Sequence, residues 1–185
     1  MAFGYQVLGF GSAPTAAVAG FTHMGGRGVW SGGWYKNGAG ATWSNTMQYV
    51  TIASLGNAID FGDSSVARAN GAAVSNVSRG CCGGGLPSGW GRSNVIDYWT
   101  FASLGNATDF GNLTVIRNYN SASFGDGTKG CWAGGNDGTY SNVIDYVNIA
   151  SIGNATDFGN LTVARHNPGG TNDATRGLTS GGHAA

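Results

Sequence analysis

The stretch SNVIDYWTFASLGNATDFGNLTVIR, Ser93 to Arg117, returns as SNVIDYVNIASIGNATDFGNLTVAR, Ser141 to Arg165, with 20 of 25 positions identical. A looser copy, SNTMQYVTIASLGNAIDFGDSSVAR, runs upstream from Ser44 to Arg68. Equivalent residues set the period: Tyr49, Tyr98 and Tyr146 are 49 and 48 residues apart, as are Asp60, Asp109 and Asp157. A second landmark is a basic-Gly pair followed by Gly-Gly, as RGVWSGG (27–33), RGCCGGG (79–85), KGCWAGG (129–135) and RGLTSGG (176–182). The 185 residues therefore read as one domain of repeats at 27–78, 79–128 and 129–175, with a fourth unit opening at 176–185. Residues 1–26 read as N-terminal closing strands. Periods of roughly 40–50 residues with several strands per unit belong to propeller blades or stacked β-modules.

Each unit holds four extended pieces: one before the basic-Gly pair, one from that pair through Gly-Gly, then Asn94–Ala102 and Asp109–Arg117. Leu104-Gly105-Asn106 turns the third into the fourth, because Gly and Asn tolerate positive φ. Four antiparallel strands per unit is a blade. The two termini could together supply a fourth, split blade and close a small four-bladed ring. Alternatively, open edges would pair with a neighbouring subunit, making a homo-oligomer.

Composition agrees with an all-β chain. Gly contributes 35 residues, far above the usual share of about 7%, without a collagen period. All nine acids are Asp, and only Lys36 and Lys129 are lysines, so the Glu and Lys that populate helix surfaces are missing. A net charge of zero leaves no footprint for nucleic acid or an anionic membrane. The apolar N-terminal run MAFGYQVLGFGSAPTAAVAGF has no Lys or Arg ahead of it and is broken by Gly, so neither a signal peptide nor membrane insertion is expected.

The Gly-Gly pair, the downstream Tyr and the closing Arg of each unit resemble a degenerate kelch repeat. Kelch units place a Trp about six residues after that Tyr, whereas the candidate aromatic here is Phe61, Phe110 or Phe158, twelve residues on. The phrase NVIDYVNIASIGNATDFGNLTVAR is similar to repeats in tail-fibre and other virion proteins of tailed phages, especially those of marine bacteria and cyanobacteria. That resemblance spans roughly Arg27 to Gly182. It implies a virion location, with other virion proteins or a host-surface glycan or protein as partners.

Repetition also sorts the candidate residues. A residue present in every unit serves architecture, since one active site does not need three copies. Tyr49, Tyr98 and Tyr146, Asp60, Asp109 and Asp157, and Arg68, Arg117 and Arg165 fall in that class. The Asp residues are expected to cap turns or to pair with the repeated Arg. Asp97 with Asp109 is conceivable as a glycosidase pair, yet both recur at Asp145 and Asp157. Cys81, Cys82 and Cys131 lack zinc spacing and read as buried free thiols. His23, His166 and His183 read as isolated loop histidines. No catalytic, metal or cofactor site is expected.

Function is expected where the units differ, in the loops after Gly-Gly: WYKNGAGATW (34–43), LPSGWGR (86–92) and NDGTY (136–140). These carry Trp34, Tyr35, Trp43, Trp90 and Tyr140, aromatics suited to stacking on sugar faces or anchoring a partner. The reading that follows is a non-enzymatic tail-fibre or host-contacting module. The alternatives are a capsid-decorating or tail-assembly protein and, less favoured, a glycan-acting enzyme.

Overall fold

The computed structural model describes residues 26–37, 40–119, 121–173 and 175–184; the expected closing strands of 1–26 lie outside the described residues except for Gly26. The described elements are all β-strands, in antiparallel sheets. Sheet I is formed by Arg27–Asn37, Gly40–Thr51 and Ile59–Asp63. Sheet II is the meander Ala72–Ser75, Arg79–Gly83, Ser93–Thr100 and Thr108–Arg117. Sheet III repeats it with Ala122–Gly125, Lys129–Ala133, Val143–Asn148 and Thr156–Asn160. Hairpin IV, Gly169–Asn172 with Gly177–Ser180, supplies the first two strands of the next unit. Sheets II and III thus begin at Ala72 and Ala122, earlier than the boundaries placed at the basic residues 79 and 129.

One expected loop is a strand. Within WYKNGAGATW, residues 34–37 and 40–43 continue the first two strands of sheet I, with Trp34 opposite Trp43 and Tyr35 opposite Thr42. Cross-strand aromatic pairing stabilises such an extended ladder, whereas the shorter segments 86–92 and 136–140 turn back at once.

The sheets stack face on face, and strand alternation builds the core from both sides of each. In sheet II, Ile96 points one way, into a buried cluster with Phe110, Leu113 and, from sheet III, Trp132, Val147 and Ile149. Trp99 points the other way, to Met47 and Phe61 of sheet I. Cys81 and Cys82 follow the same rule and join opposite clusters, so neighbours in sequence cannot meet as a disulfide. All three cysteines are free and buried; burial pushes the Cys81 thiol up to about 12 and that of Cys131 to about 11.

Two further devices recur. Arg27, Arg79 and Lys129 lie over the rings of Tyr49, Tyr98 and Tyr146 at 4.9, 4.5 and 5.5 Å. Each Tyr in turn meets the edge of Phe61, Phe110 or Phe158 at 6.0, 5.9 and 5.8 Å between centroids. The second device explains the phrase L-G-N-A. Gly105 and Ala107 donate backbone N–H groups to Phe61 O (2.8 Å) and Asp63 O (2.7 Å), while Asn106 Oδ1 accepts from Asp63 N (3.0 Å). Gly153, Ala155 and Asn154 do the same to Phe110 and Asn112. The turns of the second and third units are therefore clipped to the last strand of the unit before.

Candidate functional site

The repeated Arg residues find carboxylates, but not those expected. Arg68 Nη2 bonds Asp97 Oδ2 at 2.5 Å, and Arg117 Nη2 bonds Asp145 Oδ2 at 2.5 Å. The other carboxylate oxygen accepts from Ser65 in the first pair and Thr114 in the second. Each guanidinium also donates to carbonyls of the next sheet: Arg68 to Cys82 (3.1 Å), Gly84 (3.0 Å) and Val95 (2.7 Å), and Arg117 most closely to Gly134 (2.7 Å). Burial acts on the second pair more than any other influence, pushing Asp145 up and Arg117 down against the attraction between them. These pairs rivet successive sheets. Both oxygens of Asp97 are engaged and its side chain is fully buried, so it cannot face a substrate.

Asp60, Asp109 and Asp157 pair with none of these arginines. They are exposed, and Asp109 and Asp157 accept from the N–H two residues on, in Gly111 (3.2 Å) and Gly159 (2.9 Å). Those bonds lie within strands Thr108–Arg117 and Thr156–Asn160, not at turns, and the carboxylates that meet Arg68 and Arg117 are those of Asp97 and Asp145. A signal for this lay in the sequence. Unit one carries Gln48 where units two and three carry Asp97 and Asp145, and no Arg lies upstream of it except Arg27.

The unit-specific aromatics converge. Trp90 sits 5.3 Å from Trp43, edge to face, and 6.3 Å from Trp34, although Trp90 belongs to the next unit. Trp90 is 60% exposed, and Trp34 and Tyr35 are about half exposed. The backbone of Trp90 has φ of 64°, in the left-handed region that bulky side chains avoid. Local strain of this kind is stored where the surroundings or a function require it. Trp43 Nε1 is buried and has no hydrogen-bond partner among the described residues. Trp30, Trp34, Tyr35, Ser44, Thr46 and Gln48 line an adjoining groove.

Tyr140 lies apart from that cluster, in a second one along the same series of loops. Its ring is 4.6 Å from His166, which is 5.5 Å from Tyr119 and stacks on His183 at 5.0 Å. His166 and His183 are therefore not isolated: short strands Arg165–His166 and His183–Ala184 pair them directly. Desolvation, and then the neighbouring His183, hold His166 below its ordinary value. Equivalent two-residue pairings, Arg68–Ala69 with Leu86–Pro87 and the bridge Asn118 to Asn136, place all these loops on one edge of the stacked sheets. Among the described residues, no group of three or more His, Cys, Asp or Glu could hold a metal ion.

The aromatic rim is thus the feature that architecture leaves unexplained, and comparison with known proteins offers no ready identity for it: the chain matches no protein-family model and has no significant similarity to a curated protein.

Proposed function

We propose that this chain is a non-enzymatic virion component of a tailed phage, a tail-fibre or host-contacting module of propeller-type blades whose aromatic rim binds a host-surface glycan. One observation carries the binding half of the reading. Trp34, Trp43 and Trp90 come from two units yet gather into one exposed cluster, with the Trp90 backbone held in an unfavourable conformation. Indole faces suit the apolar faces of sugar rings, and Trp90 and Trp34 present theirs at the surface. The virion half rests on the repeated phrase.

The assembly reading, capsid decoration or tail joining, draws on a separate feature, strand Gly177–Ser180, which among the described residues pairs on one edge only, with Gly169–Asn172. Gold-labelled antibody against this chain, imaged on purified virions, separates the two. Label at the fibre or tail tip supports host contact, label over the capsid supports decoration, and absence of label overturns the virion reading. A glycan array probed with the intact chain and with Trp34→Ala tests the rim: equal binding by both overturns it.

A further inference from the structure

One position of the repeat stays aliphatic in every unit without serving the core. Leu55, Leu104 and Ile152 hold the same place in the turn between the third and fourth strands of their units. Turns of this kind are ordinarily polar. Burial would explain an aliphatic residue there, but Leu55 is fully exposed, Leu104 is 54% exposed and Ile152 is 59% exposed. Single exposed aliphatics are common on protein surfaces and need no reason. Three at equivalent places are different, because the exposed position four residues on does drift, from Ile59 to Thr108 and Thr156.

The three side chains form a row. Gly105 and Gly153 directly follow Leu104 and Ile152, and they donate their N–H groups to Phe61 O and Phe110 O at 2.8 and 2.9 Å. Each of these turns is thereby laid on the last strand of the unit before, so the row advances by one sheet per residue, a step of roughly 10 Å. Charge flanks the row on both sides. On one side are Arg27, Arg79 and Lys129, whose cross-strand partners Thr51, Thr100 and Asn148 lead into the turns. Arg27 and Arg79 are half-buried, and Lys129 is exposed. On the other side are the exposed Asp60, Asp109 and Asp157, each second in its fourth strand. This edge of the stack therefore carries a basic row, an aliphatic row and an acidic row, in step with one another.

We propose that this edge is a self-association surface, and that its occupant is the same edge of a second copy of this chain. A two-fold axis parallel to the rows lays one aliphatic row on the other and sets the basic row of each copy against the acidic row of its partner. A two-fold axis across the rows would oppose like charges instead. A lipid bilayer has no repeat at the spacing of the sheets and nothing for the acidic row to meet. Successive turns of a meander lie at opposite ends of its strands, so the aromatic rims of the two copies point away from each other. The inference is independent of the rim and stands or falls separately.

The test is sedimentation equilibrium of the full chain over a concentration series, where a dimer is expected. Leu104→Asn with Ile152→Asn should raise the dimer Kd roughly tenfold or more. Circular dichroism should find the fold and Tm of that variant unchanged, since both side chains are exposed. Lys129→Glu and Asp157→Lys should each weaken association alone, whereas an equimolar mixture should regain the original affinity, because each variant then meets its complement. A monomer at every concentration, a dimer indifferent to the aliphatic substitutions, or charge variants that mixing does not rescue would each overturn the proposal. So would flotation of the chain with phosphatidylcholine vesicles that the Leu104→Asn, Ile152→Asn variant loses, because lipid would then be the occupant.

Discussion

Arg68, which follows the last strand of sheet I, and Asp97 of sheet II stand 29 residues apart in the chain, yet their side chains meet at 2.5 Å with 2% and 0% exposure. The bond is a rivet between units, repeated by Arg117 and Asp145. A buried pair of this kind has a large desolvation cost, so its value shows mainly when one partner is lost. Asp97→Ala should destabilise the chain by about 3–5 kcal/mol, because it leaves Arg68 charged and uncompensated. The pair Arg68→Met with Asp97→Leu should recover most of that loss. Urea unfolding of the two variants checks it, and equal losses would remove the rivet.

Gly111 and Gly159 are equivalent and share positive φ values of 139° and 134°. Alanine at either carries about 1–3 kcal/mol of backbone strain. Only Gly111→Ala also meets a neighbour, the Gly153 carbonyl at 2.5 Å from the new Cβ. The drop in Tm should therefore be clearly larger at 111 than at 159. Indistinguishable melts would mean that the turn does not clip to the preceding unit.

Trp90 contributes an exposed ring at the expense of its backbone. Trp90→Gly should keep or raise Tm, by relieving strain worth roughly 1 kcal/mol, while abolishing ligand binding. A large fall in Tm would instead make Trp90 a structural brace for Trp34 and Trp43.

Cys81 and Cys131 have thiols raised by burial to about 12 and about 11. The thiolate is the reactive species, so a disulfide-exchange reagent at neutral pH should leave the native chain unlabelled and modify all three cysteines once urea unfolds it. Fast labelling of the folded chain would contradict the buried positions found for them.

Asp173 caps the turn of hairpin IV, accepting from Thr175 N and Arg176 N at 2.7 Å each. Those bonds, led by Thr175, draw its carboxyl down to about 2. An unfolded Asp titrates near ~3.9. The folded value is the lower one, so the stabilisation is complete above the unfolded value and is lost as pH falls through about 2. Carbon-detected NMR titration should find that midpoint. Asp173→Asn should keep the turn, since Asn76 caps the equivalent one through Ser78 N and Arg79 N, and should abolish this part of the acid response.

Much of this was legible beforehand because repetition is a direct physical statement. A phrase that recurs at a fixed period must fold the same way each time, and the strands at 72–75, 79–83, 93–100 and 108–117 lie where period-two alternation and Gly-Asn turns put them. The Asp partners of Arg68 and Arg117 could not be picked from the sequence, because Asp97 and Asp109 both recur in the next unit and the contact that selects Asp97 and Asp145 is made across the stack. Residues 34–37 and 40–43 were read as loop because the segment differs between units, and the Trp34–Trp43 pair that makes them a ladder is visible only once register is known.

The sequence by itself determined an all-β chain of near-identical units, since strand alternation, turn chemistry and periodicity are local properties. Tertiary structure decided which repeated groups meet and that Trp34, Trp43 and Trp90 gather at one place. Those are relations between neighbouring units, and stacking geometry, not the chain's local preferences, sets them.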